Sequence, residues 1–150
     1  MGTKRFPLFV DLTGKKAVVI GGGTVGLRRA EVLARFGAEV TVISPALSRT
    51  MEGIRHIPRE YAPGDLEGVF LAIAATDDPQ VNAAARQEAW RLGILFNRSD
   101  RPADCDFFFP AVCEGAGMVA GLAGDGTDHG KTARTAREIR KILENSKDET

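Results

Sequence analysis

The chain has 150 residues, 43% of them hydrophobic, and its 20 basic residues balance 20 acidic ones. That length suits one domain, or one domain with a small appendage, and the apolar fraction is enough for a core without covalent staples. Zero formal net charge leaves no broad surface for nucleic acid or membrane, and any anion site must be local. Cys105 and Cys113 form no C-x-x-C pair and have no histidine cluster beside them, which argues against a disulfide framework or a zinc site. No apolar run is long enough to span a bilayer, and Met1 to Phe9 lacks the apolar stretch of a signal peptide. Reduced thiols and a cytoplasmic location are the expectation.

Ala17 to Ile20 reads as a first strand, and it runs into Gly21-Gly22-Gly23-Thr24-Val25-Gly26, in which glycines are spaced G-x-G-x-x-G. Gly21 permits a tight turn, Gly23 lets a pyrophosphate approach the backbone, and Gly26 lets the following helix pack close to the strand. That helix is expected over Val25 to Phe36, with Ala30, Leu33 and Ala34 as its apolar stripe and Gly37 as its stop. The phosphates of a dinucleotide would sit at its N-terminus, where free N–H groups and the helix dipole favour negative charge. Val40 to Ile43 is the second strand, ended by Ser44-Pro45, and the resulting βαβ unit implies a right-handed crossover and a parallel sheet.

Ile54 to Ile57 is a weak strand candidate; Val69 to Ala74 is a strong one, because an unbroken apolar run suits a strand covered on both faces. Asp77 or Asp78 can cap the next helix, with Pro79 in its first turn, Val81, Ala85, Ala89 and Leu92 buried, and Gly93 at its end. Ile94 to Phe96 and Phe107 to Phe109 are expected as further short strands. The fold class is therefore α/β: a Rossmann-type doubly wound parallel sheet over residues 1–110, followed by a small C-terminal α+β element. Ala111 to Cys113 and Met118 to Ala123 flank a hairpin turn at Glu114-Gly115-Ala116-Gly117, and Lys131 to Leu143 reads as a charged helix. A hairpin with one polar helix is expected to complete itself against a second copy, which makes residues 111–144 a homodimerisation segment and leaves 145–150 as a frayed tail.

The usual ribose anchor, an Asp or Glu at the end of the second strand, is replaced here by Ser44-Pro45. With no acid for the 2′-hydroxyl and no neighbouring arginine for a 2′-phosphate, Ser44 offers a single hydrogen bond, and NAD is the preferred cofactor over NADP.

Several motifs in order carry a resemblance. Phe6-Pro7-Leu8-Phe9-Val10-Asp11-Leu12, the glycine loop through Arg28-Arg29-Ala30, Leu71 to Asp78 with Val81-Asn82, Asn97-Arg98-Ser99-Asp100 and Phe107-Phe108-Phe109-Pro110 together resemble the precorrin-2 dehydrogenase / sirohydrochlorin ferrochelatase family, the N-terminal part of sirohaem synthase. The resemblance implies NAD-dependent oxidation of precorrin-2 to sirohydrochlorin in sirohaem biosynthesis and, in bifunctional members, insertion of ferrous iron. It also implies that Thr76 and Asp77 contact the nucleotide, although either aspartate can equally be a helix cap. Asn97 would bind the cofactor or hold the Asp100 loop.

Removing a hydride and a proton from precorrin-2 calls for a nicotinamide against the macrocycle and a proton acceptor. Asp100 is the expected acceptor, since it follows a strand at the carboxyl edge where open parallel sheets bind ligands and matches the family's functional aspartate by position. Arg28, Arg29, Arg98 and Arg101 are expected to receive the substrate's carboxylates through guanidinium forks. Asp104 and Asp106 read as surface charges, His56 as structural and His129 as loop, and no metal ligands are assigned.

Leu122 to Lys131 departs from the family, lacking its Ser-Ser-Gly-Gly stretch and Ser-Pro helix start, and fuller members continue past residue 150 into a helical domain. Without that cover, iron insertion is a weaker expectation than dehydrogenation. The rival readings are a non-catalytic nucleotide-binding or metallo-tetrapyrrole carrier module, and a chelatase that no longer uses NAD.

Overall fold

Apolar residues between Lys16 and Ile20 form β1 (Lys16–Ile20), the middle strand of a five-stranded parallel sheet in the computed structural model, which describes residues 4–146. In chain order the sheet adds α1 (Thr24–Arg35), β2 (Glu39–Ile43), β3 (Arg55–Ile57), β4 (Leu71–Ala74), α2 (Pro79–Leu92) and β5 (Leu95–Arg98). The spatial order β3-β2-β1-β4-β5 reverses direction between β1 and β4, so the two halves wind outward from a crevice at their carboxyl ends. Register places Ile20 beside both Ile43 and Ala74, and Ala74 beside Arg98. The loops that leave four strands thus start at one edge.

Strands covered on both faces read as continuous apolar runs, and Leu71–Ala74 is buried at every position. α1 buries Gly26, Leu27, Ala30 and Leu33, a stripe that includes Leu27 and leaves Ala34 only half covered. α2 is capped by Asp78, whose Oδ1 accepts a hydrogen bond from the Gln80 backbone N–H at 2.9 Å, and Gly93 ends it at φ 67°. Its inward face carries Asn82, Ala85, Glu88 and Ala89, while Val81 and Leu92 are half-buried. Phe96 fills the space between this helix and the sheet and is fully covered.

Phe107 to Phe109 form no strand, contrary to the pattern's expectation. Two side-chain bonds and one backbone bond take the place of a sixth ladder along β5. The Asp106 carboxylate accepts from the Phe96 N–H at 3.0 Å, the Asp106 N–H donates to the Phe96 carbonyl at 2.8 Å, and Asn97 Nδ2 donates to the Phe107 carbonyl at 2.9 Å. These bonds cap the sheet edge and block further pairing.

The chain divides into two compact units. One is Val10–Phe108, which holds the whole sheet; the other gathers the described residues 4–9 with 109–146. The N-terminal residues therefore group with the C-terminal element, where Arg5 donates to the Gly124 carbonyl at 2.9 Å. This second unit contains β6 (Ala111–Gly115) and β7 (Met118–Leu122), joined by a two-residue turn in which Ala116 and Gly117 both have positive φ, and α3 (His129–Asn145). Cys113, Ala136 and Leu143 are its buried centre. His129 opens α3 just after its cap, Asp128, rather than lying in a loop. Residues 147–150 of the expected tail lie outside the described residues. Among those described, no helix is long and apolar enough to cross a membrane.

Candidate functional site

The glycine loop leaves β1 under tight steric limits. A Cβ on Gly21, whose φ is 116°, would stand 2.4 Å from the Ala75 carbonyl oxygen; one on Gly22 would stand 2.0 Å from that of Ala46, and one on Gly26 2.6 Å from that of Gly21. A Cβ on Gly23 would meet nothing within 4 Å. Three glycines are thus required by the protein's own backbone, while the open ground over Gly23 is available to a ligand. Gly23 is also the N-cap of α1 and supplies no side-chain cap, so the first N–H groups of the helix, from Thr24 and Val25 onward, face a place suited to phosphate. These residues fit a dinucleotide.

A cavity of about 490 Å³ opens there, between the ends of β1 and β4. The glycine loop, Ser44 to Ser48, Glu60, Tyr61, Ala75 to Asp78 and Val81 line it. Ser44 is nearly buried, and its hydroxyl donates to the Ala46 carbonyl at 2.8 Å, while the Ser48 N–H donates to the Gly22 carbonyl at 2.8 Å. The loop after β2 therefore closes on the glycine loop, and Ser44 shapes it. His56 Nε2 lies 2.8 Å from the Ser44 carbonyl, a structural bond.

Glu60 and Tyr61 were not legible as site residues, because the segment between β3 and β4 has no periodic pattern and only folding brings it to the cavity. Tyr61 hydrogen-bonds through its hydroxyl to Glu88, a buried carboxylate on α2 that also accepts from the Gly64 N–H at 2.7 Å. Burial and then that carboxylate push the Tyr61 phenol up, so it stays neutral and acts as a fixed wall. Asp77 is exposed and lines the cavity, leaving the capping to Asp78. The Thr76 N–H and hydroxyl donate to Asn82 Oδ1 at 3.3 and 2.7 Å, and Asn82 Nδ2 donates to the Thr76 carbonyl at 3.1 Å.

Fully buried Asn82, which holds Thr76, also favours the charged form of Asp100 at the end of β5. Arg98 lies two residues beyond Phe96, on the same strand face, and only 6% of its side chain is exposed. Its Nε donates to Asp100 Oδ1 at 2.7 Å and its Nη2 to Asp100 Oδ2 at 3.2 Å; Nη1 reaches Asp104 Oδ2 at 2.9 Å, and Nη2 the Pro79 carbonyl at 3.2 Å. The Arg98 guanidinium holds the Asp100 carboxyl below the usual carboxylate range, against the opposing effect of burial.

The four arginines expected at the substrate divide into two pairs. Arg28 and Arg101 are exposed, whereas Arg98 is turned inward as described and Arg29 reaches from α1 to donate to Asn97 Oδ1 at 2.7 Å. Asn97, itself buried, ties α1 to residue 107 and so holds the loop that carries Asp100. Asp104 and Asp106 are not idle surface charges. Asp104 shares Arg98, and Asp106 pairs side-on with Arg86 at 2.7 and 3.0 Å.

Fold and site define a dinucleotide-binding protein of Rossmann type. The chain belongs to the family described as "Putative NAD(P)-binding", whose profile matches residues 8–111. It is 38% identical over 145 residues to the "Probable multifunctional siroheme biosynthesis protein HemA" of Ruminiclostridium josui, covering 92% of this chain and 28% of that protein. It is also 38% identical over 126 residues to the siroheme synthase of Azotobacter vinelandii, with 80% and 27% covered. The chain thus spans less than a third of these curated relatives. A solved structure titled "SirC, precorrin-2 dehydrogenase" shares the fold with a TM-score of 0.75 at 24% identity, covering 95% of this chain and 73% of that one. The resemblance read from the motifs is borne out by these relatives.

Proposed function

We propose that this chain oxidises precorrin-2 to sirohydrochlorin with NAD, in the biosynthesis of sirohaem. The observation that carries the reading is the placing of two features at one sheet edge: a backbone cradle fit for a dinucleotide at the end of β1, and a carboxylate at Asp100 held by Arg98 at the end of β5. The names of the relatives support the same substrate.

When bound, NAD supplies a hydride acceptor, and the proton that completes the oxidation leaves to a base or to water. The glycine loop and the α1 N-terminus hold the pyrophosphate; Gly23 permits its approach. Ser44, Thr76 and Asp77 shape the rest of the nucleotide's bed, with Glu60 beside them and no arginine at the end of β2 to favour a 2′-phosphate. Asp100, the expected proton acceptor, also acts through its charge. Its depressed proton affinity makes it a weak base and a permanent negative charge at neutral pH, suited to stabilising the positive charge that grows on a tetrapyrrole as hydride leaves. Exposed Arg28 and Arg101 are available to substrate carboxylates, while Arg29 and Arg98 hold the edge in shape.

The proposal extends to a cytoplasmic homodimer. Phe6, Leu8, Phe9, Met118 and Ile142 of the second unit are all more than half exposed, apolar surface that a second copy would cover.

The test is anaerobic absorbance of the purified chain with precorrin-2 and NAD, following NADH and sirohydrochlorin together. Equal growth of both is expected, with kcat lower by about 100-fold or more in Asp100→Ala at unchanged NAD affinity. NAD binding without NADH formation would reject the enzyme reading in favour of a carrier. Ferrous iron added after oxidation then reads the insertion step that the resemblance implies.

A further inference from the structure

We propose that Arg98 is a positioning residue for the reaction above, a buried clamp that seats the Asp100 carboxylate and presents it, rather than its own charge, at the carboxyl edge of the sheet. The inference rests on that functional reading only for its kinetic consequence. Its geometry stands alone. One guanidinium spans both oxygens of Asp100, one oxygen of Asp104 and the carbonyl that opens α2.

Bonds between the Arg98 backbone and the Cys105 thiol close the same turn around it. The Arg98 N–H donates to the Cys105 sulfur at 3.1 Å, and the Cys105 thiol donates back to the Arg98 carbonyl at 3.2 Å. A third of the Asp100 side chain is exposed against 6% of that of Arg98, so the pair meets solvent as a carboxylate. Asp100 and Asp104 share the Arg98 guanidinium, and Arg101 stands beside Asp104, so the four charges balance. The partly exposed Asp100 carboxylate supplies the negative charge that a substrate losing hydride would meet. A hydrophobic residue at 98 would leave Asp100 and Asp104 to repel each other and the turn free to reorient.

The charged groups around Asp100 are Arg98 on β5 and, in the following turn, Asp104 and Arg101, whose Nε lies 3.7 Å from Asp104 Oδ2. α2 contributes only neutral partners, Asn82 and the Pro79 carbonyl, and α1 contributes Arg29 on the far side of Asn97. Arg98 is the member of this set that spans Asp100 side-on. Lysine cannot replace it, since one ammonium cannot serve two carboxylates and a carbonyl in a fixed fork.

The experiment compares wild type, Arg98→Met and Arg98→Lys by carbon-detected NMR titration of the Asp100 carboxyl, alongside kcat, KM for precorrin-2 and KM for NAD. The titration needs no turnover, so a wild type that makes no NADH would sink the functional reading and still leave the clamp to be decided. In Arg98→Met the carboxyl is expected to titrate at or above about 3.9, the unperturbed aspartate value. Its kcat is expected to fall about 10- to 100-fold with KM for NAD unchanged. Arg98→Lys is expected to restore the low titration in part and kcat less, and it serves alone if Arg98→Met does not fold. An unchanged Asp100 titration in a folded Arg98 variant would overturn the clamp, as would a kcat loss matched by equal loss of NAD affinity.

Discussion

The two ends of one sheet edge are built from different materials. Around Gly21 to Gly26 the site is made of backbone, and its requirement is the absence of side chains: three glycines clear neighbouring carbonyls by distances that no Cβ tolerates, and the fourth leaves open ground. Around Asp100 the site is made of side chains, with Arg98 holding Asp100 and Asp104, and Asn97 holding Arg29 and the Phe107 carbonyl. The first region offers N–H groups that any sequence owns, so it depends on shape. The second depends on which charges meet, and one substitution changes its electrostatics without altering its shape.

Phe96 belongs to the buried cluster that also holds Ile20 and Ala74, the last residues of β1 and β4, so its loss reaches both regions. Phe96→Ala should cost about 3–5 kcal/mol of stability, as for a large aromatic removed from a closed core, and should lower NAD affinity and turnover together. Urea unfolding at pH 7 measures it, and a loss below about 1 kcal/mol would mean that the core is looser than its burial implies. Within the backbone-made region, Gly22→Ala should destabilise by about 1–3 kcal/mol, because its Cβ overlaps the Ala46 carbonyl. Gly23→Ala should leave the melting temperature nearly unchanged while weakening NAD binding measured calorimetrically. Equal effects from the two variants would erase the distinction between a glycine the fold needs and one the ligand needs.

The smallest effect separates the regions by pH. Asp100 has a lowered folded-state pKa, so the stability it contributes is fully present above its unfolded value, about 3.9, and is lost as pH falls through the lower folded value. Asp100→Asn should therefore melt below wild type at pH 7, by about 1 kcal/mol or less because the carboxylate is one-third exposed, and the gap should close below about pH 4. A gap that widens in acid would reverse the sign of the assigned interaction.

Much of the scaffold was readable before folding. The turn from β1 to α1, the caps at Asp78 and Gly93, and the buried run of β4 follow from glycine spacing, capping chemistry and unbroken apolar pattern, all short-range rules. The hairpin at Ala116-Gly117 follows for the same reason. Phe107 to Phe109 defeated the same rules, because their strand-like composition competes with Asn97 and Asp106 for the edge of β5, and those partners are set by the tertiary fold.

By itself the sequence determined a glycine cradle between an apolar strand and an amphipathic helix, and a carboxylate at the end of another strand, since both are matters of local spacing. Only the tertiary structure decided that Arg98 turns inward, that Glu60 and Tyr61 join the cavity and that buried Asn82 holds Thr76 at its wall. The physical reason is that a buried charge or amide takes whatever partner the packing of distant segments supplies, and no spacing along the chain records that choice.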